Sequence, residues 1–218
     1  MSNNTSHTMN RRKFLKLAGA TLGVSAAACC GLGTLATRQP QVDLVENHYP
    51  GENKMNQRIL VAYASKAGST GEVAEAIGQA LAVNRATVDV YPIEAVPNIQ
   101  DYQAVIVGSA IRAGRWLAAA TRFVETHQSY LSHIPTAYFT CCMTLHEETE
   151  ENRRKALGYM DPVRSMVTPL AVGAFAGKID YSKLSFLDGM MFKVMGGGIE
   201  GDFRQWEAIR AWAGSLQL

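Results

Sequence analysis

The stretch "RILVAYASKAGSTGEVAEAIGQAL", Arg58 to Leu81, decides how the rest of the chain is read. It opens on an apolar run, Arg58–Ala64, with no polar alternation, the mark of a strand covered on both faces. Small and hydroxylated residues follow from Ser65 to Thr70, and then Val73, Ala74, Ile77 and Leu81 recur at helical spacing, which predicts a helix over 70–82. The turn between them admits two readings. Ser69 or Thr70 caps the helix and nothing more, or the turn is an anion site. The hydroxyls of Ser65, Ser69 and Thr70, the flexible Gly68 and the unpaired N–H groups of a helix start suit a phosphate monoester. Neither G-x-x-x-x-G-K-[ST] nor G-x-G-x-x-G is present, so a nucleoside triphosphate or a dinucleotide has no cradle here.

Downstream the period keeps switching. Strands are predicted at 86–93, 104–110, 136–142 and 169–177, and helices at 115–131, 147–165, near 184–195 and 202–216. The second strand alternates in polarity and belongs nearer an edge. Such alternation argues for a parallel sheet wrapped by helices, whose ligands bind beyond the carboxyl ends of the strands, where strand order reverses. The first loop lies at such an end.

The 218 residues suffice for one ordinary domain, and 47% hydrophobic with 18% charged is a globular composition. Residues 1–57 hold six of the 21 basic and three of the 19 acidic residues, leaving 15 against 16 in the body. No basic surplus is available there to neutralise phosphates, which argues against nucleic acid as a partner. The four cysteines form two adjacent pairs, Cys29–Cys30 and Cys141–Cys142. Adjacent cysteines rarely bridge, and neither C-x-x-C nor a zinc spacing occurs, so no metal is expected.

The front end is not fold. "NRRKFLK" (10–16) precedes twenty uncharged residues, ten of them Ala or Gly. This resembles a twin-arginine translocation signal through Arg11, Arg12, Phe14, Leu15 and Lys16, with Asn10 departing from the usual Ser or Thr. Export is therefore expected, and the segment's length also permits a membrane anchor. Cleavage, and lipidation at Cys29, are left open. Residues 37–57, polar and without period, read as a tether between the signal (1–36) and the domain (58–218).

"YASKAGSTGEVAEAI" resembles the phosphate loop of flavodoxins, and "VGSAIRAGRW" (107–116) looks like the loop bordering their isoalloxazine ring. The tail "FAGKIDYSKLSFLDGMMFKVMGGGIEGDFRQWEAIRAWA" (175–213) is similar to that of the menaquinone-dependent protoporphyrinogen oxidases. The matching residues are Ala176, Gly177, Tyr181, Asp188, Met190, Gly196, Gly197, Trp206 and Glu207, with Gln205 standing where that family has Asp. The resemblance implies an α/β, flavodoxin-like fold: a five-stranded parallel sheet in order 2-1-3-4-5 with helices on both faces. It implies FMN as cofactor. Ser65, Lys66, Ala67, Gly68, Ser69 and Thr70 would hold the phosphate. Ser109, Ala110, Ile111, Arg112, Ala113, Gly114 and Trp116 would border the ring, and Thr140, Cys141 and Cys142 would cover its other side.

Several of these residues carry a plainer alternative. Gly108 and Gly114 allow close backbone approach to a ligand; Trp116 lies against a flat ring or in the core. Arg112 and Arg115 meet an anionic substrate or the flavin edge, or are solvated. His146 is a proton donor by position or a surface histidine, and Cys141 with Cys142 a buried structural pair or a redox centre. The Met- and Phe-rich stretch 184–198 is a core helix, or an apolar face towards a quinone, a membrane or a redox partner. Three functions follow. The first is an FMN-dependent oxidoreductase of the protoporphyrinogen oxidase type, in which the cofactor supplies the redox chemistry. The second is an electron carrier without its own substrate, which the neutral body and added tail disfavour. The third is a non-enzymatic binding module.

Overall fold

The computed structural model describes residues 42–51, 57–83, 86–195 and 199–218. The expected signal, Cys29 and Cys30, parts of the expected tether, and Gly196 and Gly197 lie outside the described residues.

Its elements are β1 (Asn47–Tyr49), β2 (Arg58–Ala64), α1 (Ser69–Ala82), β3 (Thr87–Pro92), β4 (Ala104–Arg112) and β5 (Arg115–Trp116). There follow α2 (Ala118–Thr126), α3 (Gln128–Leu131), β6 (Thr136–Cys142), α4 (Glu150–Gly158), α5 (Asp161–Met166) and β7 (Ala171–Ala176). The tail holds β8 (Lys178–Ile179), α6 (Phe186–Met195), β9 (Gly201–Asp202) and α7 (Trp206–Gly214). The main sheet runs β1-β3-β2-β4-β6-β7, parallel except at β1. Its five parallel strands stand in the order second-first-third-fourth-fifth, as the resemblance implies.

The apolar run of β2 is divided by strand pleating between two cores. Ile59, Val61 and Tyr63 face one way, packing with Val73 and Ile77 of α1 and Ile209 and Ala213 of α7. Leu60, Ala62 and Ala64 face the other, with Val124 of α2 and Val163 of α5. Two cores on one strand explain why no polar residue interrupts it. Chain order reverses between β2, which is followed by β3 on one flank, and β4 on the other. The carboxyl ends of β2 and β4 therefore form the switch point.

The structure departs from the sequence reading in four places. The tether is not wholly extraneous to the domain. Asn47–Tyr49 pairs antiparallel with β3, His48 opposite Asp89, and so covers the edge that β3 would leave open. Three residues carry too little alternation to announce a strand. Next, the helix expected from 115 begins at Ala118, because β4 turns back onto β5 through Ala113 (φ 49°) and Gly114 (φ 72°). Two successive positive φ values make this a tight hairpin turn, for which Ala113 is an unusual non-glycine occupant. The helix expected over 147–165 divides into α4 and α5, the second opened by Pro162 at its start. Finally, the tail carries an unforeseen two-stranded sheet, Lys178 opposite Asp202 and Ile179 opposite Gly201.

Candidate active site at the carboxyl ends of the strands

A cleft of about 250 Å³ opens at the switch point. On one side stand Ser65, Lys66, Ala67, Ser69 and Thr70 from the turn after β2; opposite them stand Ala110, Ile111, Arg112, Ala113 and Gly114 of the β4–β5 hairpin. Cys141 and Cys142 at the end of β6 form its floor.

The turn after β2 is built for this position. Gly68 adopts φ 84°, a left-handed conformation that L side chains rarely take, and Ser65 Oγ accepts a hydrogen bond from its N–H at 3.0 Å. The first intrahelical bonds run from Gly71 and Glu72 to the Gly68 carbonyl. The N–H groups of Ser69 and Thr70 thus precede the ladder, at the positive end of the helix dipole. Thr70 is fully buried and lines the cleft; its hydroxyl has the Cys141 thiol, a weak partner, beside it and no hydrogen bond of ordinary geometry among the described residues. A buried hydroxyl without a good partner is costly, up to about 3 kcal/mol, and is an observation that a plain helix cap does not explain.

Arg204 holds this turn from the far side. Its side chain is 3% exposed and forks onto Asp202, with Nε to Oδ1 at 2.8 Å and Nη2 to Oδ2 at 2.6 Å. Nη1 donates to Glu72 Oε2 at 2.8 Å and to the Ser69 carbonyl at 3.3 Å, and the guanidinium lies 4.4 Å from the centre of the Trp206 ring. The guanidinium holds the Asp202 carboxyl below its ordinary pKa. Sequence reasoning missed this residue because its partner Glu72 lies 132 positions away.

The remaining expected residues lie around the cleft rather than in it. Gly68 faces away from it, towards Val42, and Ser109 and Thr140 are buried behind it. Ser109 Oγ donates to the Ala110 carbonyl at 2.8 Å and accepts from Leu117 N–H at 3.0 Å, which fixes the base of the hairpin. Thr140 Oγ1 donates to the Ser109 carbonyl at 3.3 Å. Trp116 is a core residue, edge-on to Tyr138 with ring centres 5.5 Å apart, and does not line the cleft. Gly108 gives room to protein, not ligand: a Cβ there would lie 1.9 Å from Phe139. Arg115 is exposed outside the cleft lining, and His146 Nδ1 is 2.8 Å from the Met143 carbonyl, also outside it. Burial pushes the Cys141 and Cys142 thiols up, which keeps both protonated and poorly nucleophilic.

Several lining residues were not anticipated. Tyr159, at the end of α4, stands near the hairpin turn, with its hydroxyl 3.1 Å from that of Thr144. Lys178, Ile179, Asp180 and Leu184 close the cleft from the tail. The last four follow the fifth parallel strand at its carboxyl end, so topology pointed to them; nothing in the sequence marked Tyr159.

The arrangement combines an anion-receptive end with apolar walls. Lys66, Arg112 and Lys178 supply positive charge, while Ala110, Ile111, Leu117 and Ile179 supply surface for a flat apolar group.

Residues 60–204 match the model of the flavodoxin domain. The chain is 29% identical over 173 residues to a protoporphyrinogen IX dehydrogenase [quinone] of Leishmania major, covering 72% of this chain and 73% of that one. It is 25% identical over 174 residues to the protein of the same name from Escherichia coli K12, covering 72% and 92%. Among solved structures, a flavodoxin from the domain Archaea aligns with a TM-score of 0.41 at 20% identity, covering 63% of this chain and 99% of that one. With two thirds of its length matched by that model and the strand order agreeing, the chain belongs to the flavodoxin domain family.

Proposed function

We propose that this chain is an FMN-dependent oxidoreductase of the protoporphyrinogen oxidase type. The observation that carries the reading is the buried Thr70 hydroxyl, unsatisfied by the fold at a helix N-terminus, on a cleft that combines cationic side chains with apolar surface. Its likeness to enzymes named protoporphyrinogen IX dehydrogenase supports the reaction class. The residues fit the cofactor. Thr70 and Ser69, with the loop amides, would hold the phosphate. The backbone of Ala110–Gly114 would border the ring, and Cys141 and Cys142 would offer it an uncharged floor. FMN, when bound, supplies the acceptance and return of electrons. The protein's share is positional and electrostatic. Lys66, Arg112 and Lys178 attract an anionic substrate or phosphate, the Ser109-braced hairpin fixes one wall, and Tyr159 Oη offers a hydroxyl at the cleft.

The N-terminal resemblance supports export or membrane association, with the signal or anchor in residues 1–36. Among the described residues no helix is long and apolar enough to cross a membrane. The electron acceptor in this reading is a quinone or a protein redox partner. Leu184 lines the cleft two residues before α6, which exposes Phe186, Leu187, Met190 and Val194 and so offers an apolar approach.

The test is to supply FMN to the purified protein and record its visible spectrum and thermal unfolding, then to offer protoporphyrinogen and a quinone. A flavin band, a raised Tm and turnover are expected. No band and no shift would overturn the cofactor; a flavin band without turnover would favour the electron carrier.

A further inference from the structure

The turn after β2 is contacted by a segment that precedes the domain as read from sequence. Gly68 lies directly under Val42: a Cβ added at Gly68 would meet Val42 Cγ1 at 2.8 Å. Three residues further on, the Val45 carbonyl accepts a hydrogen bond from Tyr63 Oη at 3.0 Å. Tyr63 is fully buried, and its ring packs so closely on Gly71, in the first turn of α1, that a Cβ there would lie 2.9 Å from it. The arm thus bears on the turn at Gly68 directly and on the first turn of α1 at Gly71 through Tyr63.

The rest of the arm is fastened to the fold around it. Asn47 Nδ2 donates to Glu75 Oε1 at 2.7 Å, Tyr49 Oη donates to the same oxygen at 3.3 Å, and Gly51 N–H donates to Thr87 Oγ1 at 3.2 Å. His48 Nδ1 lies 2.5 Å from Asp89 Oδ1, and β1 pairs along β3. Neither Val42 nor Val45 lines the cleft. They act on it through Gly68 and Tyr63.

We propose that the arm Val42–Gly51 is a positioning element of the phosphate-binding turn, so that docking of the arm and binding of a phosphate monoester favour one another. This rests on the cofactor reading above. Its physical content is reciprocity: if the docked arm holds Gly68 and the first turn of α1 in the binding conformation, ligand on the turn must stabilise the docked arm by the same factor. In a chain read as exported, the segment joining signal to domain would then report whether the site is filled.

The test uses the full chain, FMN, and riboflavin as the analogue lacking the phosphate. Hydrogen exchange at the backbone amides of residues 47–49 should slow when FMN is added and not when riboflavin is. Val42→Ala, and Tyr63→Phe, which removes only the hydroxyl that holds Val45, should each weaken FMN binding about five-fold or more. Both should leave riboflavin binding unchanged. A purely structural arm predicts a lower Tm with unchanged FMN affinity and unchanged exchange in β1, and that result would overturn the proposal alone. Failure of the wild-type chain to bind FMN would overturn the cofactor reading and this inference with it.

Discussion

The two rims of the cleft are built in opposite ways. The turn Ser65–Glu72 is gripped on three sides: by β2 beneath it, by the Val42–Gly51 arm over Gly68, and by Arg204 across Ser69 and Glu72. The tail rim, from Asp180 into α6, is held by local contacts such as Tyr181 Oη to the Ile199 carbonyl at 3.1 Å, and leaves Phe186 71% and Val194 79% exposed. A site for a fixed anionic group needs donors whose positions do not relax, because a misplaced hydrogen bond loses most of its strength. A surface that meets an apolar partner needs exposed side chains and tolerates rearrangement. In the proposed reading, rigidity and exposure are divided between the two rims according to what each would bind.

The largest break in this contrast should come from Arg204→Met. It leaves Asp202 and Glu72 without their partner and should cost about 2–3 kcal/mol in denaturant unfolding, under the range for a fully buried pair because both carboxylates are 39% exposed. Gly68→Ala should come next. It forces an L side chain to φ 84° and into Val42, costing about 1–2 kcal/mol, and it should weaken FMN binding as well.

Acid should sharpen the same contrast. Burial alone would raise the Asp89 pKa, but hydrogen bonds with His48 and Arg58 outweigh it and hold it below the usual value; Arg204 does the same for Asp202. Both carboxylates are depressed in the folded state, so their stabilisation is complete above the unfolded value of about 4 and is lost as pH falls through the folded values. Unfolding free energy should therefore decline below about pH 4, and Arg204→Met should decline less steeply, since Asp202 no longer contributes. At the other rim the smallest effect is expected. Phe186→Ser and Val194→Ser should change stability by no more than about 0.5 kcal/mol and leave FMN affinity unaltered.

What the sequence disclosed follows from how local each signal was. The strand Arg58–Ala64 and the turn after it were legible because an uninterrupted apolar run and a helix start are written in consecutive residues. The strand Thr136–Cys142 was legible to the residue for the same reason. β1 was not, since three residues paired across forty positions have no period to detect. Arg204 stood unnoticed because its importance lies in Glu72 and Ser69, on a distant element. Trp116 admitted ring stacking or burial from sequence, and only the hairpin of β4 and β5 turns it towards Tyr138. The hydroxyls of Ser65, Ser69 and Thr70 looked equivalent. In the fold, Ser65 braces Gly68, while Thr70 is buried with no hydrogen bond of ordinary geometry among the described residues.

That last distinction gives the most direct test. Thr70→Val keeps the shape of the side chain and removes only the hydroxyl. Titration of FMN into the wild type and this variant, with thermal unfolding of both without ligand, should give opposite signs. The variant should be equally stable or more stable by up to about 1 kcal/mol without ligand, yet bind FMN about ten-fold more weakly. Equal affinity in the two proteins would contradict a phosphate seated on Thr70, and loss of stability without ligand would show that the hydroxyl already has a partner.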